Sequence, residues 1–558
     1  MASRKNNELV FLPLGGVGEI GMNLGVYGYG PDDNRQWLLV DLGVSFAGPD
    51  LPGVDLIMPD IRFLENERPN ICGLVVTHAH EDHFGAILDL WPKLMVPVYC
   101  TAFTAGLLET KRETDYSSYN LPLNIFKAGD RFEVGPFDIE AIAVAHSIPE
   151  PVSLAIKTPL GTVIHTGDWK VDHEPSLGPI TNEKRFKELG KEGVLALVCD
   201  STNAMRDGVS PTEQDVAKSL TEIISNEKGR VAITTFSSNV GRILSIARAA
   251  KEAGRQVLLV GRSMKRSVTV AEELGYLDGI DAFLSEEDYP YIQRDKIVMV
   301  LTGSQGEQRA ALAKLSRDEM RSLSLTAGDT VIYSSRSIPG NERAIIDTQN
   351  RLTDMGIKII TDHDALVHVS GHPRRNDLLK MYDWVKPKML VPVHGEALHL
   401  AAQTALGRQA GIQTVAEIRN GDMLKLAPEP AEIIDEVPFG LIYKDGNLIG
   451  NEETLGISER RKLSYVGQVS VAILLDKHRD LSGLPEVISY GLPETDSDGE
   501  LIDDIILNTI EMTIDSIPRA KRKDEDVVRE AVRRSIRAEI YKIWGKKPVC
   551  TVFLHQLK

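Results

Sequence analysis

A chain of 558 residues with 42% hydrophobic side chains is long enough for three or four ordinary domains. A net charge of −17 argues against a protein that coats nucleic acid nonspecifically, since such binders present basic surfaces. No run of about 18 apolar residues occurs, so no membrane span is expected.

The start, from Met1 to Asn7, is polar and lacks a signal-peptide core. Cys72, Cys100, Cys199 and Cys550 show no CxxC spacing and read as reduced thiols, which points to a cytoplasmic location. Residues 8 to about 208 read as many short strands. Gly16, Gly18 and Gly21 match a dinucleotide fingerprint, with Asp41 as its acid. That fingerprint needs a helix after the glycines. Here Asn23 to Gly28 alternates like a strand and Gln36 to Val40 is another, so the glycines are expected to make a tight loop instead.

The apolar run Gly73 to Thr77 reads as a buried strand, and Phe84 to Trp91 as a short helix. Between them lies His78-Ala79-His80-Glu81-Asp82-His83. Imidazole and carboxylate groups suit zinc, manganese and related ions. One ion cannot easily take all of them from so tight a turn, whereas two neighbouring ions can share them. Further ligands should come singly from strand ends. His146 follows the strand Ala141–Ala145, Asp168 follows Thr162–His165, and His394 follows Met389–Val393. Asp200 lies just beyond the apolar run Val194–Val198.

From about 209 to 365 strands and helices alternate, which predicts a parallel sheet. The strands are Arg230–Thr235, Gln256–Val260, Lys296–Leu301, Thr330–Ser334 and Lys358–Thr361; Val240–Ala253 is a helix. His394 lies beyond this block yet must return to the first site, so the block is an insertion. Ser237, Ser238 and Asn239 precede the helix, where free N–H groups and the helix dipole favour phosphate. His368, Val369, Ser370, Gly371 and His372 add imidazoles, a hydroxyl and exposed backbone. Both segments are candidates for a substrate-phosphate pocket, with helix capping a compatible role for the first. Pro438 to Gly450 reads as a closing strand and linker. Residues from about 460 form a smaller α/β unit. In it Glu525–Trp544 is an amphipathic helix with the stripe Val528, Val532, Ile536, Ile540 and Ile543. Arg529, Arg533, Arg537 and Lys542 lie on its other faces, open to RNA or subunit contact.

The ordered set formed by Leu14–Gly21, Thr77–His83, His146–Glu150, Asp200–Asn203, Ser237–Asn239, His368–His372 and Pro392–Glu396 resembles the metallo-β-lactamase superfamily. Within it the chain looks like the β-CASP nucleases and, more narrowly, the ribonuclease J family. The resemblance covers roughly residues 8 to 450. It implies an α/β fold: a metallo-β-lactamase αββα sandwich with an inserted β-CASP α/β domain and a small C-terminal α/β domain. The expected division is 1–208 and 366–450 for the sandwich, 209–365 for the insertion, 451–459 for a linker and 460–558 for the C-terminal domain.

By this resemblance His78, His80 and His146 hold one metal, Asp82, His83 and His394 the other, and Asp168 bridges them. Two zinc ions are implied, with manganese or magnesium as alternatives. Asp200 is expected to orient a ligand or manage a proton, and His372 to contact the scissile phosphate or protonate the leaving oxygen. A structural calcium ion near Pro52–Val54 and Asp445 is also implied. The implied activity is a 5′-to-3′ exoribonuclease with endonuclease activity, acting in RNA maturation and decay as a homodimer or homotetramer, with RNA-degradation partners possible. A small-molecule metallo-hydrolase, a DNA-directed β-CASP nuclease and an inactive RNA-binding scaffold are the alternatives. The long insertion, the histidine in Val393-His394-Gly395 and the full ligand set weigh against them in turn.

Overall fold

The computed structural model describes residues 6–114, 120–338 and 340–557. They form two compact units, Met1–Phe46 with Ile57–Leu441, and Ala47–Leu56 with Ile442–Lys558.

Two mixed sheets build the part of the first unit that carries the candidate metal ligands. One runs in the order Glu432–Glu436, Asp422–Ala427, Glu8–Gly15, Leu24–Gly30, Gln36–Val40, Ile71–Val75, Val98–Cys100, Leu123–Ile125. The other runs Arg131–Val134, Phe137–Ala143, Val152–Thr158, Gly161–His165, Ala196–Asp200, Met389–Val393, Thr414–Val415. Side chains alternate across each strand. Leu9, Phe11, Tyr27, Val40 and Val75 therefore share one core with Phe137, Leu154, Val163, Val198 and Val391. Ile142, Ile164, Leu197 and Leu390 belong to another, with Phe186 and Leu189 of the helix Glu183–Glu192, Leu378 and Met381 of Arg375–Val385, and Leu406 of Ala397–Gln409. Each large side chain so buried contributes roughly 1.5–3 kcal/mol. Helices Ile87–Leu94 and Ala102–Thr114 come after the strands Ile71–Val75 and Val98–Cys100 of the eight-stranded sheet and bury Leu90 and Phe103, and helix Arg62–Glu67 buries Leu64. This is the sandwich expected from the sequence.

Strands Ala196–Asp200 and Met389–Val393 are parallel neighbours, with Asp200 opposite Val393. The chain between them leaves to form a separate parallel sheet, in the order Gln256–Val260, Ile297–Leu301, Val231–Thr234, Thr330–Tyr333, Lys358–Ile360. The block is thus an insertion that returns its chain to the strand Met389–Val393, which ends at His394.

Two local expectations differ. The helix placed at Phe84–Trp91 is two helices, Glu81–Phe84 and Ile87–Leu94. The Asp82 carbonyl is taken by the Asn23 N–H at 2.9 Å, and the Ala86 N–H goes to Leu42 O at 3.1 Å. The helix therefore breaks between them, and Glu81, Asp82 and His83 of the histidine-rich motif form its first turn. In the second unit, the closing strand and linker expected at Pro438–Gly450 contains a hairpin in which Tyr443 pairs with Gly450 and Asp445 with Leu448.

In the second unit strand Gln468–Leu475 lies between Glu486–Tyr490 and Val549–Gln556. Val528, Val532, Ile536 and Ile540 of the helix Glu525–Trp544 are buried with Ile506, Ile510 and Val471. The basic face of that helix is largely self-neutralised: Arg529 pairs with Glu525, Arg533 with Glu530 and Lys542 with Glu539. That pairing weakens it as an RNA surface. Among the described residues no helix is long and apolar enough to cross a membrane, and all four cysteines are free thiols.

Candidate metal centre

Asp168 follows the strand Gly161–His165 through Gly167, and its two oxygens face different groups. Its Oδ2 lies 3.7 Å from His78 Nε2 and 3.6 Å from His146 Nε2. The third imidazole, His80, turns Nδ1 inward, 3.1 Å from His78 Nε2 and 3.0 Å from His146 Nε2. The other oxygen, Oδ1, lies 3.4 Å from His83 Nε2 and 3.5 Å from His394 Nε2. Asp82 Oδ2 completes that side, 3.6 Å from His83 Nε2 and 3.7 Å from His394 Nε2. Zinc–nitrogen bonds of about 2.0–2.1 Å set a tetrahedral edge of roughly 3.3 Å, close to these spacings. Asp168 Oδ1 and His394 Nε2 are buried without any hydrogen-bond partner. Such atoms are costly unless something binds them. The donor set therefore fits two divalent ions sharing Asp168.

In four of these five histidines the outward ring nitrogen is held, which fixes the inward one. His83 Nδ1 donates to Asp41 Oδ2 at 2.7 Å, His394 Nδ1 to Asn23 Oδ1 at 2.8 Å, and His146 Nδ1 to the Gly371 carbonyl at 2.7 Å. His78 Nδ1 lies 3.0 Å from Thr77 Oγ1, whose hydroxyl donates to Asp41 Oδ2 at 2.9 Å. Partners of this kind orient metal ligands. Asp41 and His394 both have positive φ, 63° and 51°. Non-glycine residues held there mark sites where the surroundings override backbone preference. The glycine-rich loop supplies part of that force: Gly16 O accepts the His394 N–H at 2.7 Å, and Val17 pairs with Gly395. Gly43 cannot be anything larger, because a Cβ there would lie 1.8 Å from Asp82 O. A strand, Leu24–Gly30, follows these glycines, so they are no dinucleotide site.

Asp41 and Asn23 are the residues that sequence reasoning missed. Asp41 follows the buried strand Gln36–Val40, the same criterion that selected Asp168. In the sequence it stands out only as the acid of a dinucleotide fingerprint that lacks its helix. Asn23 carries no sequence signal of its own.

Beside the ligand groups, His372 Nδ1 bonds Asp200 Oδ2 at 2.8 Å, and Asp200 Oδ1 accepts from Thr202 N and Oγ1 at 2.8 and 2.7 Å. Burial would lower the His372 pKa, but the Asp200 and Asp168 carboxylates outweigh it and hold the imidazole up at about 9. The two sides of Asp168 differ likewise. Burial pushes His80 down to about 4, and burial with the neighbouring imidazoles pushes His78 and His146 down. His83 is also buried, yet Asp168, Asp82 and Asp41 raise it well above its ordinary value.

Ser237, Ser238 and Asn239 end the loop before helix Val240–Glu252. Asn239 Oδ1 caps that helix by accepting the Arg242 N–H at 2.9 Å, while its buried Nδ2 has no partner. In the second candidate segment His368 Nδ1 is likewise buried and unpartnered. Val369 is buried, and Ser370 Oγ accepts from Asn203 Nδ2 at 2.9 Å and His372 N at 3.3 Å. Arg242 links the first segment to the residue preceding the second: its N–H is capped by Asn239, and its Nη1 donates to Val367 O at 3.0 Å.

Four family models match: a β-lactamase superfamily domain over residues 36–186, a ribonuclease J β-CASP domain over 228–352, a Zn-dependent metallo-hydrolase RNA specificity domain over 340–416, and a ribonuclease J C-terminal domain over 455–557. The chain is 61% identical to ribonuclease J from Sinorhizobium meliloti, over 99% of this chain and 98% of that one. It is 38% identical to ribonuclease J from Mycolicibacterium smegmatis, over 96% and 95%. A crystal structure of a protein of unknown function from Enterococcus faecalis aligns with a TM-score of 0.50 and 17% identity, over 75% of this chain and all of that one, a likeness of fold alone. With the sandwich, the insertion and the Asp168-centred ligand groups all present, the chain belongs to the ribonuclease J family.

Proposed function

We propose that this chain is a metal-dependent ribonuclease that degrades RNA from the 5′ end, prefers a 5′ monophosphate, and also cuts internally. The observation that carries the reading is the pair of ligand groups facing opposite oxygens of Asp168, with the Asp200–His372 pair beside them. His78, His80 and His146 would hold one divalent ion and Asp82, His83 and His394 the other; zinc fits this donor set, and manganese or magnesium are alternatives. Bound there, two such ions supply Lewis-acid activation of water and neutralise phosphoryl charge.

The remaining chemistry belongs to the protein. His372, kept protonated by Asp200, is suited to donate a proton from Nε2 to the leaving 3′ oxygen. The unpaired Asn239 amide, and the His368 ring nitrogen when it carries the proton, suit one compact phosphate dianion together with the start of helix Val240–Glu252. A pocket closed around one phosphate selects a monophosphate over a triphosphate and fixes the step at one nucleotide. Ser237, Ser238, Val369, Ser370 and Gly371 would shape it.

A cytoplasmic setting, RNA-degradation partners, homodimer or homotetramer assembly and the four-part domain division with a linker at 451–459 belong to the same proposal. So does a calcium ion at Pro52–Val54, where Asp445 already pairs with Arg460 at 2.5 Å. The test is a time course on RNA labelled at either end, bearing monophosphate, triphosphate or hydroxyl 5′ ends. Mononucleotides should appear first, fastest from the monophosphate. Equal rates on all three would remove the pocket and leave the metal centre standing.

A further inference from the structure

Four charged side chains lie buried together away from the metal ligands. Lys170 and Arg242 are 0% exposed, Asp172 1% and Glu213 5%. Lys170 Nζ donates to Asp172 Oδ2 at 2.9 Å and to Glu213 Oε1 at 3.4 Å. Arg242 gives Nη2 and Nε to Glu213 Oε2 at 2.8 and 3.2 Å. Its Nη1 donates to Ser334 Oγ at 2.5 Å and to Val367 O at 3.0 Å, and Ser334 Oγ donates to Val367 O at 2.7 Å. Two cations face two anions, so the cluster balances. Burying four charges is expensive, and replacement by apolar side chains is often neutral or stabilising. A fully bonded network does, however, fix geometry.

What this network joins is informative. Lys170 lies two residues after Asp168, and its N–H bonds Ala145 O at 2.8 Å, next to His146. Arg242 lies in the first turn of helix Val240–Glu252, directly after the Ser237–Asn239 turn. Val367 precedes the loop His368–His372, whose far end bonds His146 through Gly371 and Asp200 through His372. One arginine therefore holds the Ser237–Asn239 turn through its backbone N–H, the residue before the His368–His372 loop through its guanidinium and, through Glu213 and Lys170, the segment that carries Asp168.

We infer that Arg242 is a positioning residue that sets the distance between the RNA 5′-phosphate pocket and the metal-ligand cluster. This rests on the 5′-monophosphate reading above. The fork geometry is what matters: a lysine keeps the charge but cannot bond Glu213, Ser334 and Val367 together. With the loop released, the pocket loses selectivity for the phosphate, and the one-nucleotide step loses its register.

The test measures dissociation constants of hydrolysis-resistant phosphorothioate oligoribonucleotides with 5′-phosphate or 5′-hydroxyl ends, together with product lengths on ordinary RNA. For Arg242→Lys, the ratio of the two constants should fall about tenfold, the loss of one charge-assisted bond. Di- and trinucleotides should join the mononucleotide products, while metal content per chain stays that of the parent. Ser334→Ala, which removes only one arm, should shift both readouts in the same direction by less, and it carries the comparison if Arg242→Lys does not fold. General loosening of the protein would weaken both oligonucleotides alike and leave the ratio unchanged. An unchanged ratio and purely mononucleotide products in a folded variant overturn the positioning role alone. A parent protein that binds both ends equally overturns the 5′-monophosphate reading and this inference with it.

Discussion

The Gly371 carbonyl accepts the His146 Nδ1 proton at 2.7 Å, so a loop proposed to hold substrate also orients a proposed metal ligand. A Cβ on Gly371 would lie 2.5 Å from the His146 ring and 2.9 Å from Ser147 Oγ. Gly371→Ala should therefore displace the ring and weaken divalent-ion binding by about 10- to 100-fold, the usual cost of losing an orienting partner. Competition with a chelating dye measures this. Parental affinity in the variant would mean that the loop and the ligand are independent.

Asp41→Asn tests the support beneath His83. The amide keeps the size but loses the charge that two donors of Thr77 and the His83 ring share. Metal affinity and turnover should both fall about 10- to 100-fold. Asp168→Asn or His80→Ala, which remove proposed ligands themselves, should abolish most hydrolysis while the thermal transition persists. Asp41→Asn with parental turnover would make Asp41 a structural residue only.

The contrast between Asp41 and the histidines explains what the sequence can reveal. His78 to His83 is legible because its ligands sit within one turn, where composition alone departs from any ordinary loop. His146, Asp168 and His394 are legible because each follows an apolar strand. Asp41 meets His83 from 42 positions away, and Asn23 meets His394 from 371. Such bonds are made by sheet pairing and leave no local pattern. The broken helix at Gly85 was hidden for the same reason, since its cause is the distant backbone of Asn23 and Leu42. Parallel strands of the insertion were legible nearly to their ends, being buried and continuously apolar.

Metal loading should be uneven in pH. His78, His80 and His146 are held neutral at pH 7 by burial, whereas His83 carries a proton that Asp168, Asp82 and Asp41 stabilise. A ligand must be deprotonated to bind. Titration of metal-free protein with zinc should show about two ions per chain, with the second step releasing more protons and weakening more steeply as pH falls. Calorimetry in two buffers of different ionisation heat reads the proton count. Stoichiometry near zero under zinc supplementation would sink the metal reading.

Glu213 offers a stability test away from the metals. Burial opposes its charge, but Arg242 and Lys170 outweigh that and hold its carboxyl down at about 2. Its folded pKa is below the unfolded one, so its stabilisation is complete above about pH 4.5 and is lost as pH falls through about 2. Glu213→Gln should cost roughly 3–5 kcal/mol at pH 7, as for other broken buried pairs. The difference from the parent should shrink in acid. Denaturant melts at several pH values measure it, and a difference independent of pH would show that the charge is not what matters.

The final prediction concerns Asp200 and His372. A general acid must be protonated to act, so its contribution falls as pH rises through its pKa. Asp200 and Asp168 together hold His372 up at about 9 against the effect of burial. Bound cations would pull that value down, but the Asp200 contribution persists because its Oδ2 touches His372 Nδ1 at 2.8 Å. Asp200→Asn keeps a hydrogen-bonding oxygen and removes the charge. The alkaline limb of kcat should then move to lower pH by about one to two units, since a bonded carboxylate commonly shifts its partner by that much. KM for RNA should change less, because Asp200 is proposed to act on His372 rather than on the phosphate. His372→Ala should remove the limb altogether and lower the plateau by about 100-fold or more, the usual scale of general-acid assistance. A limb at the same pH in parent and Asp200→Asn would assign the alkaline fall to another group and leave Asp200 as a scaffold for the Ser201–Asn203 turn.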